Sequence, residues 1–279
     1  MTNDVNDNSK NTLTRRKLLA GAAAGLAAQT LTVSRATAKE SPTVLITGAN
    51  RGIGLELARN YAQQDWQVYA TARRPEAADD LKAIAARHPK LSIEQLDVLD
   101  HEMIDALAKK LNGQPIDVLL NNAAVLGEPN DQKFGARDYE LMHRILATNV
   151  TGPMKMAEAF IEHVARSDQK KIVAITSGQG SISTLRSSSI VFYNMSKAAL
   201  NMGMRSNSFE LKPRGITVAL ISPGAVDTEM MQLALNRAGV DFPLLSAADS
   251  AAMVIDVISK YGLDRTGTFL SHKGEEIPW

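Results

Sequence analysis

Cysteine is absent from the 279-residue sequence, and this absence excludes two kinds of site. Without a thiol, the chain has neither a disulfide nor a structural thiolate–metal centre. Its five histidines also lack the spacing of metal ligands, so we expect no metal site. A chain without cysteine is compatible with an oxidising compartment but does not require one.

A surplus of one charge sign is missing as well. The chain has 31 basic and 30 acidic residues, whereas proteins that bind nucleic acid usually present a basic face or stripe. We therefore expect no nucleic-acid partner. The length is sufficient for one α/β domain with a large core. No proline-, glycine- or serine-rich linker and no internal repeat divides residues 42–279.

Long hydrophobic runs are also missing, and this bears on the first 38 residues. Residues 2–14 are polar, Arg15–Lys17 is basic, and Ala36–Ala38 has the small residues of a cleavage site, as in a secretory signal. The paired arginines resemble a bacterial twin-arginine signal. The weakly apolar stretch between these features is shorter than the roughly 20 residues that cross a bilayer.

We therefore expect residues 1–38 to be a cleaved twin-arginine signal that sends a single domain, 39–279, to the periplasm. After processing we expect no stable membrane insertion. Two alternatives stay open. The segment could be an uncleaved helix that lies on or crosses a membrane, or export could be inefficient and the protein could act in the cytoplasm.

Short apolar segments alternate with helical patterns from residue 43 onward. Segments such as Val118–Leu120 are continuously apolar, which is typical of strands covered on both faces. The alternation predicts one Rossmann-type, doubly wound parallel sheet of about seven strands with helices on both faces. We expect strands at 43–47, 67–71, 91–96, 116–120, 171–176, 216–221 and 266–270, helices at 53–64, 76–87, 101–111, 137–165, 194–211 and 247–260, and an irregular flap with short helical pieces at 227–246.

A glycine-rich turn separates the first expected strand from the first expected helix. Glycine permits a tight turn and close approach of the backbone, and the N-terminus of the following helix presents unpaired N–H groups to a pyrophosphate. The turn therefore predicts a dinucleotide-binding site, with a purely structural turn as the alternative. The expected contacts are Gly48, Asn50, Arg51, Gly52, Ile53 and Gly54.

Arginines rather than an acidic residue follow the second expected strand. A carboxylate at this place would bind a ribose 2′-hydroxyl and indicate NAD. Arg73 and Arg74 are found instead, and Arg51 lies in the glycine turn. Guanidinium groups bind phosphate well, often with two hydrogen bonds, so we expect NADP(H) to be preferred over NAD(H). The alternative is that Arg73 and Arg74 are solvated loop charges.

The third and fourth expected strands end in residues suited to the adenosine half of such a cofactor. Asp97 can accept a hydrogen bond from the adenine amino group, and Val98 follows it. The small residues that follow the fourth strand allow the backbone to lie along the adenine ribose. We expect contacts from Asn121 and Ala123, whereas Asn122 could equally well contact the cofactor or tie adjacent strands.

Tyr193 and Lys197 are four residues apart, so they share one face of a predicted helix. A free phenol has a pKa of about 10, too high for an efficient base near neutrality, and a nearby ammonium lowers it. We expect Lys197 to lower the pKa of Tyr193 and to hold the nicotinamide ribose. Tyr193 would then exchange a proton with a carbonyl or alcohol oxygen, and Ser177, after the fifth strand, would hydrogen-bond the same oxygen.

The segment after the sixth expected strand is suited to the nicotinamide end. The backbone of Pro223, Gly224 and Val226 can bind the carboxamide and fix which face of the ring is presented. The hydroxyl of Thr228 can bind the carboxamide or the pyrophosphate. A plain turn is the alternative for the Pro-Gly pair taken alone.

Taken in order, these motifs resemble those of the short-chain dehydrogenase/reductase family across residues 43–228. One departure is Ala124, where many family members have glycine. The matching motifs are Thr47-Gly48-x-x-x-Gly52-x-Gly54, Asp97, Asn121–Ala124, Asn149, Ser177, Tyr193-x-x-x-Lys197 and Pro223-Gly224-x-Val226-x-Thr228.

The resemblance implies more than the motifs show by themselves. It implies that Asn149 holds a water that links Lys197 to solvent, although a solvent-facing amide is the simpler interpretation of that residue alone. Family members commonly form dimers or tetramers through their fourth and fifth helices, so we expect a homodimer or homotetramer. The closing Gly274–Trp279 further resembles a branch of C-factor-like and Sniffer-like carbonyl reductases.

Together these residues predict an NADP(H)-dependent oxidoreductase acting on a small, mainly apolar carbonyl or alcohol substrate. A cofactor-binding signalling or sensor protein without catalysis is the main alternative, because the branch includes C-factor-like members. A sugar-nucleotide epimerase or dehydratase shares the tyrosine–lysine pair but would need a larger substrate domain after Thr228. The candidate pocket residues are Gln179, Ile182, Leu185, Phe192, Met230 and Met231.

Overall fold

Parallel strands form the centre of the protein, as seen in a computed structural model that describes residues 41–186, 189–238 and 243–279. The export signal expected over 1–38 lies outside the described residues. The strands are β1 (Thr43–Ile46), β2 (Gln67–Ala72), β3 (Leu91–Gln95), β4 (Val118–Asn121), β5 (Lys171–Ile175), β6 (Thr217–Ser222) and β7 (Phe269–Ser271). They form one seven-stranded sheet in the order β3-β2-β1-β4-β5-β6-β7, which confirms the predicted fold class.

Helices connect these strands and cover both faces of the sheet. In the described ranges they are α1 (Gly52–Gln63), α2 (Asp79–Ala85), α3 (His101–Lys110), α4 (Tyr139–Leu146), α5 (Gly152–Ala159), α6 (Ile161–Ala165), α7 (Val191–Leu211), α8 (Glu229–Ala238) and α9 (Ala247–Lys260). The expected flap therefore contains a regular helix, α8. Across the described residues, every helix is too short or too polar to cross a membrane.

Successive residues of each strand point to opposite faces of the sheet. In β1, Val44 and Ile46 belong to one hydrophobic cluster, with α1, α2 and α9, whereas Leu45 belongs to the other, with α3, α5 and α7. Burying a leucine or isoleucine side chain contributes about 1.5–3 kcal/mol. The continuously apolar strands predicted from the sequence follow from this requirement to fill two cores.

The parallel register brings the ends of neighbouring strands together at one edge. Ile46 pairs with Ala70 of β2 on one side and with Leu120 of β4 on the other. Because the chain order reverses between β1 and β4, the loops that leave these strands diverge and open a crevice at the carboxyl edge. The glycine turn leaves β1 at this crevice.

The predicted helix over 137–165 is interrupted. A π-helical stretch, Ala147–Thr151, separates α4 from α5, and a second break at Phe160 separates α5 from α6. Pro153 has no N–H and cannot donate the α-helical bond to the carbonyl of Asn149, four residues earlier, so a regular α-helix cannot continue through this point. The wider turn places Asn149 inside the protein, and such π-turns are frequent at functional sites.

Candidate active site

A cleft of about 830 Å³ runs along the carboxyl edge of the sheet. Residues after β1, β3, β4, β5 and β6 line it, and Tyr193 and Lys197 of α7 lie in its wall. Of the expected cofactor contacts, those in the wall are Gly48, Asn50, Arg51, Gly52, Ile53, Gly54, Arg73, Asp97, Val98, Ala123, Pro223 and Thr228. Most of the cofactor motifs and the tyrosine–lysine pair are thus brought together in one cleft, whereas Asn149 and Ser177 are absent from its wall.

The glycine turn has the shape of an anion cradle. Gly48 and Gly52 have φ angles of +66° and +55°, which residues with a side chain rarely adopt. A Cβ atom on Gly54 would overlap the carbonyl oxygen of Gly48. α1 begins at Gly52 with no side-chain cap and no acidic residue in its first turn, so its first N–H groups suit a pyrophosphate.

Asn122 ties the glycine turn to the end of β4. Its Nδ2 donates to the carbonyl oxygens of Thr47 and Gly48, each at 3.0 Å, and its backbone N–H donates to Thr47 Oγ1 at 3.0 Å. Asn122 also lies in the cleft wall. Both roles considered for it are therefore compatible with its position.

Asn121 lies elsewhere than expected. It is the last residue of β4, is buried, and is absent from the cleft wall. Neither polar atom of its side-chain amide has a hydrogen-bond partner among the described residues. Adjacent strand residues point to opposite faces of the sheet, and Asn122 rather than Asn121 lies in the cleft wall. The cofactor contact of Asn121 stays a prediction that its position does not support.

The three arginines of the cofactor prediction differ in their surroundings. Arg51 forms an exposed ion pair with Glu229, the first residue of α8. Arg73 and Arg74 are exposed and line the cleft, and neither forms an ion pair within the described ranges. The end of β2 therefore offers two guanidinium groups to an anion, whereas Arg51 already faces a carboxylate.

Tyr193 and Lys197 are buried together in the first two turns of α7, with 9% and 2% of their surfaces exposed. Lys197 Nζ lies 5.7 Å from the centre of the Tyr193 ring and donates to the carbonyl oxygen of Ile175, the last residue of β5, at 2.9 Å. The side chain of Ser177 is close enough to that of Tyr193 to lower its pKa. The phenol and the ammonium thus lie together in the cleft wall, whereas the half-buried Ser177 lies beside the phenol but outside that wall.

Burial shifts the pKa values of both Tyr193 and Lys197. Burial raises the pKa of Tyr193 to about 12, and the side chain of Ser177 offsets part of that rise. Burial also lowers the pKa of Lys197 to about 8. Loss of hydration penalises both charged forms, so Tyr193 holds its proton near neutrality. Ser177 is the group that lowers the pKa of Tyr193 in this arrangement, and the expected effect of Lys197 on that pKa stays a prediction.

Asn149 is fully buried, so its interpretation as a solvent-facing amide is wrong. Its Nδ2 donates to the carbonyl oxygen of Val125 and to Ser196 Oγ, both at 2.9 Å, and its Oδ1 accepts from the N–H of Val125 at 2.8 Å. The side chain therefore ties the loop after β4 to α7. The water-holding role implied by the family stays a prediction.

The segment after β6 is only partly in the cleft wall. Pro223 and Thr228 line the cleft, whereas Gly224 and Val226 do not. Thr228 Oγ1 accepts from the N–H of Met231 at 3.2 Å at the start of α8, and Val226 is buried in a bridge with Leu245. The contacts predicted for Gly224 and Val226 thus lack support from their positions.

Most candidate substrate residues also lie outside the cleft wall. Met230 lines it, but Gln179, Ile182 and Leu185 are exposed residues beyond it. Phe192 is buried beside the ring of Tyr139, and Met231 is half-buried. The sequence indicates which mainly apolar residues lie near the motifs, but it does not determine which way their side chains point.

One residue of this region was not anticipated. Gln132 is buried, and its Oε1 accepts from the backbone N–H groups of Phe192 and Tyr193 at 2.9 and 3.3 Å. No sequence signal could have indicated it, because the bonded residues lie 60 and 61 positions away. Within the described ranges there is also no cluster of three or more acidic or histidine side chains suited to a metal ion.

Comparison with known proteins places these observations in a family. Residues 42–238 match the family model described as short chain dehydrogenase. The chain is similar to the C-signal of Myxococcus xanthus, with 34% identity over 174 residues that cover 62% of this chain and 99% of that protein.

Solved structures show the same likeness. An NADPH-bound carbonyl reductase from chicken fatty liver superposes with a TM-score of 0.78 at 29% identity, covering 86% of this chain and 100% of the other. The carbonyl reductase Sniffer of D. melanogaster gives a TM-score of 0.76 at 27% identity, with the same coverage of 86% and 100%.

Proposed function

The chain belongs to the short-chain dehydrogenase family, and from this membership and the site we propose an NADP(H)-dependent oxidoreductase that acts on small, mainly apolar aldehydes, ketones or the corresponding alcohols. The observation that carries the proposal is the pair of buried side chains of Tyr193 and Lys197, with the half-buried Ser177 beside the phenol. The pair lies in the same cleft as the glycine cradle. A protein that only bound a dinucleotide would need the cradle but not the phenol.

The proposed roles follow from the protonation states. In reduction, the bound nicotinamide would supply a hydride to the carbonyl carbon. Tyr193 donates its proton to the carbonyl oxygen. The hydride brings both electrons to the carbonyl carbon, and the proton from Tyr193 completes the alcohol. Ser177 donates a hydrogen bond to that oxygen as negative charge develops on it. In oxidation, Tyr193 accepts the proton instead.

Lys197 contributes charge rather than a proton in this proposal. Its pKa of about 8 keeps it mainly cationic at neutral pH, and a cation beside the phenol favours the phenolate that forms when Tyr193 gives up its proton. Its bond to Ile175 fixes the ammonium against β5. The family implies that it also holds the nicotinamide ribose.

We assign the cofactor preference to Arg73 and Arg74. Both lie at the cleft edge after β2, without an ionic partner in the described part of the chain, and guanidinium groups bind phosphate with directed hydrogen bonds. The NADPH-bound carbonyl reductase with the same fold supports this choice. Cofactor titrations with NADPH and NADH test it directly, and tighter binding of NADH would refute it.

The central experiment is a panel of aldehydes and ketones with the purified protein, followed by NADPH and NADH oxidation in parallel. We expect turnover of small apolar carbonyls with NADPH, and loss of turnover with retained NADPH binding in Tyr193→Phe. If no carbonyl is reduced although NADPH binds, the proposed reaction fails. If Tyr193→Phe keeps its turnover, the proton donor is another group.

The similarity to the C-signal favours one second candidate, a cofactor-binding signalling protein. The two functions respond differently to the same substitution. If a cellular effect of the protein survives in Tyr193→Phe, which retains the cradle, signalling does not depend on chemistry. If the effect is lost together with turnover, the chemistry is the function.

We also propose export by the twin-arginine route with cleavage after residue 38, and cytoplasmic location as its alternative. Cell fractionation with N-terminal sequencing distinguishes them. A mature N-terminus at Lys39 in the periplasmic fraction supports export. An intact N-terminus confined to the cytosolic fraction refutes it.

We further propose a homodimer or homotetramer that associates through the helices of 137–165 and 194–211. The described structure supports this with three apolar side chains at seven-residue spacing on α7. Met195, Met202 and Phe209 are 46%, 68% and 69% exposed, and such a spacing places them on one helix face. Light scattering of the wild type and of Met202→Lys measures the assembly, and a wild-type monomer would refute it.

A further inference from the structure

Gln132 joins two parts of the active site that are distant in sequence. It ends a short turn, Pro129–Gln132, and is 2% exposed. Its Oε1 accepts from the N–H groups of Phe192 and Tyr193, at 2.9 and 3.3 Å, and its Nε2 donates to the carbonyl oxygen of Leu126 at 2.9 Å. One amide therefore bonds the catalytic tyrosine's own backbone and the loop that lines the cleft.

The start of α7 depends on this outside partner. The first N–H groups of a helix have no acceptor within the helix. Ile190, at the N-cap position of α7, is apolar and provides no side-chain cap. Gln132 fills this role from another part of the chain, and it does so at the residue whose phenol is proposed to transfer the proton.

A second set of hydrogen bonds, through Asn149, also connects the loop after β4 to α7. Asn149 bonds Val125 of the same loop and Ser196 of α7, and Ser196 Oγ donates to the carbonyl oxygen of Tyr193 at 2.7 Å. Tyr193 is thus fixed at its N–H through Gln132 and at its C=O through Ser196. Its backbone has little freedom to shift relative to the cleft.

From these contacts we propose that Gln132 is a positioning residue for proton transfer. It sets the place of the Tyr193 hydroxyl relative to Ser177 and the reacting oxygen, and it does not touch the substrate. The proposal rests on the proposed oxidoreductase function. Displacing a catalytic group by about 1 Å can cost about 100-fold in rate, so loss of this tie is expected to act mainly on kcat.

The test compares three substitutions in the full chain. Gln132→Met keeps the approximate side-chain length and removes both hydrogen-bonding functions. Gln132→Asn keeps the amide but shortens the side chain by one methylene, so it cannot reach both partners. Gln132→Glu keeps the acceptor oxygen at a helix N-terminus, where negative charge is favoured, and loses the donation to Leu126.

We expect kcat for carbonyl reduction to fall by about 10- to 100-fold in Gln132→Met, with a smaller fall in Gln132→Asn and recovery of most activity in Gln132→Glu. The dissociation constant of NADPH should stay unchanged, because the glycine cradle is untouched. Amide hydrogen exchange should become faster at Phe192 and Tyr193 in the Met and Asn variants. All rates are measured below the unfolding midpoint of each variant.

Asp117→Asn is the matched control. Asp117 is also buried and also accepts from two backbone N–H groups, those of Thr43 at 2.9 Å and Gln169 at 3.1 Å, but at the amino end of β4. It should lose stability without losing kcat. This separates a general cost of breaking a buried tie from a specific effect on Tyr193.

Two results would overturn the proposal. One is a kcat in Gln132→Met equal to that of wild type, with only the melting temperature lowered. If that variant does not fold, an unchanged kcat in folded Gln132→Asn has the same meaning. A wild type that binds NADPH but reduces no carbonyl would instead refute the proposed function, so the two failures can be told apart.

Discussion

The two halves of the cleft are built by different kinds of contact. In the cofactor half, the phosphate cradle is shaped mainly by one contiguous segment, in which Gly48 and Gly52 take positive φ angles and Gly54 leaves no space for a side chain. The catalytic half is assembled from separate segments, with Lys197 bonded to β5 and Tyr193 held by Gln132. The phosphate cradle is therefore mainly local in sequence, whereas the chemistry depends on tertiary structure.

The largest effect that would sharpen this comparison is expected from Tyr193→Phe. Removing the proton donor should lower kcat by about 100- to 10,000-fold, while NADPH binding stays intact because the cradle is unaffected. Stopped-flow turnover and a fluorescence titration of NADPH measure the two quantities. A parallel loss of binding would show that the two halves are not separable.

Tyr61→Phe is the control for this substitution. Tyr61 is also a buried tyrosine, on α1, and its hydroxyl has no hydrogen-bond partner among the described residues. Removing that oxygen should leave both kcat and NADPH binding at wild-type values. An activity loss of similar size in Tyr61→Phe would mean that Tyr193→Phe acts through the fold.

Gly54→Ala should instead weaken NADPH binding while leaving the proton donor Tyr193 in place. The added Cβ would overlap the carbonyl oxygen of Gly48 and lie 2.5 Å from Asn122 Nδ2, so the turn must shift. Overpacking of this kind costs about 1–3 kcal/mol, and we expect NADPH affinity to fall by about tenfold or more. Calorimetric titration and thermal unfolding measure the two effects.

Gly178→Ala provides the matched glycine control. A Cβ on Gly178 would meet no atom within 4 Å, although this residue follows Ser177 directly. We expect normal stability and normal NADPH affinity. Equal losses in both variants would contradict the claim that the cradle, rather than glycine content in general, holds the cofactor.

The same contrast explains how much could be predicted from the sequence. The strands of the parallel sheet and the cradle follow from hydrophobic periodicity and from glycine positions, which act within one segment. The pKa of Tyr193 could not be predicted in this way. It depends on burial, which raises it, and on contact with Ser177, and both arise only when α7 packs against the ends of the strands.

The departures from prediction have the same origin. The interruption around Asn149 needs the combined effect of Pro153 and of the buried bonds to Val125, and only the proline is visible in the sequence. Asn121 and Asn122 are adjacent and chemically identical, yet strand alternation sends one into the protein and the other to the cradle. Their roles are decided by direction, which composition does not encode.

Within the cofactor half, replacing the two arginines after β2 should have a smaller effect, on the preference for NADPH over NADH. Charge-assisted hydrogen bonds to a phosphate are worth about 1.5–3 kcal/mol, so replacing Arg73 and Arg74 together by alanine should reduce the preference for NADPH over NADH by about tenfold or more. Arg51→Ala should change it less, because Arg51 is paired with Glu229. Ratios of kcat/KM for the two cofactors measure the effect. A larger change in Arg51→Ala would reverse the assignment.

A further effect concerns the pH dependence of stability in the catalytic half. Burial lowers the pKa of Lys197 from 10.5 to about 8 in the folded protein, so the unfolded chain binds the proton more tightly between these values. Linkage then makes the contribution of Lys197 to folding more favourable as pH rises from about 8 to 10.5. It becomes least favourable once pH falls below the folded pKa.

Comparison of the wild type with Lys197→Met isolates the pH-dependent contribution of Lys197 to the free energy of unfolding. Burial raises the pKa values of Tyr61 and Tyr261, so both residues destabilise the fold at high pH in both proteins and cancel in the difference. Tyr193 lies beside Lys197 and does not cancel, so the comparison is made below pH 10.0, the ordinary pKa of tyrosine. We expect the unfolding free energy of wild type, relative to Lys197→Met, to increase steadily across the alkaline part of this range in urea titrations. A difference that is constant with pH would show that Lys197 keeps its ordinary pKa, and that the ammonium beside the phenol costs the fold little.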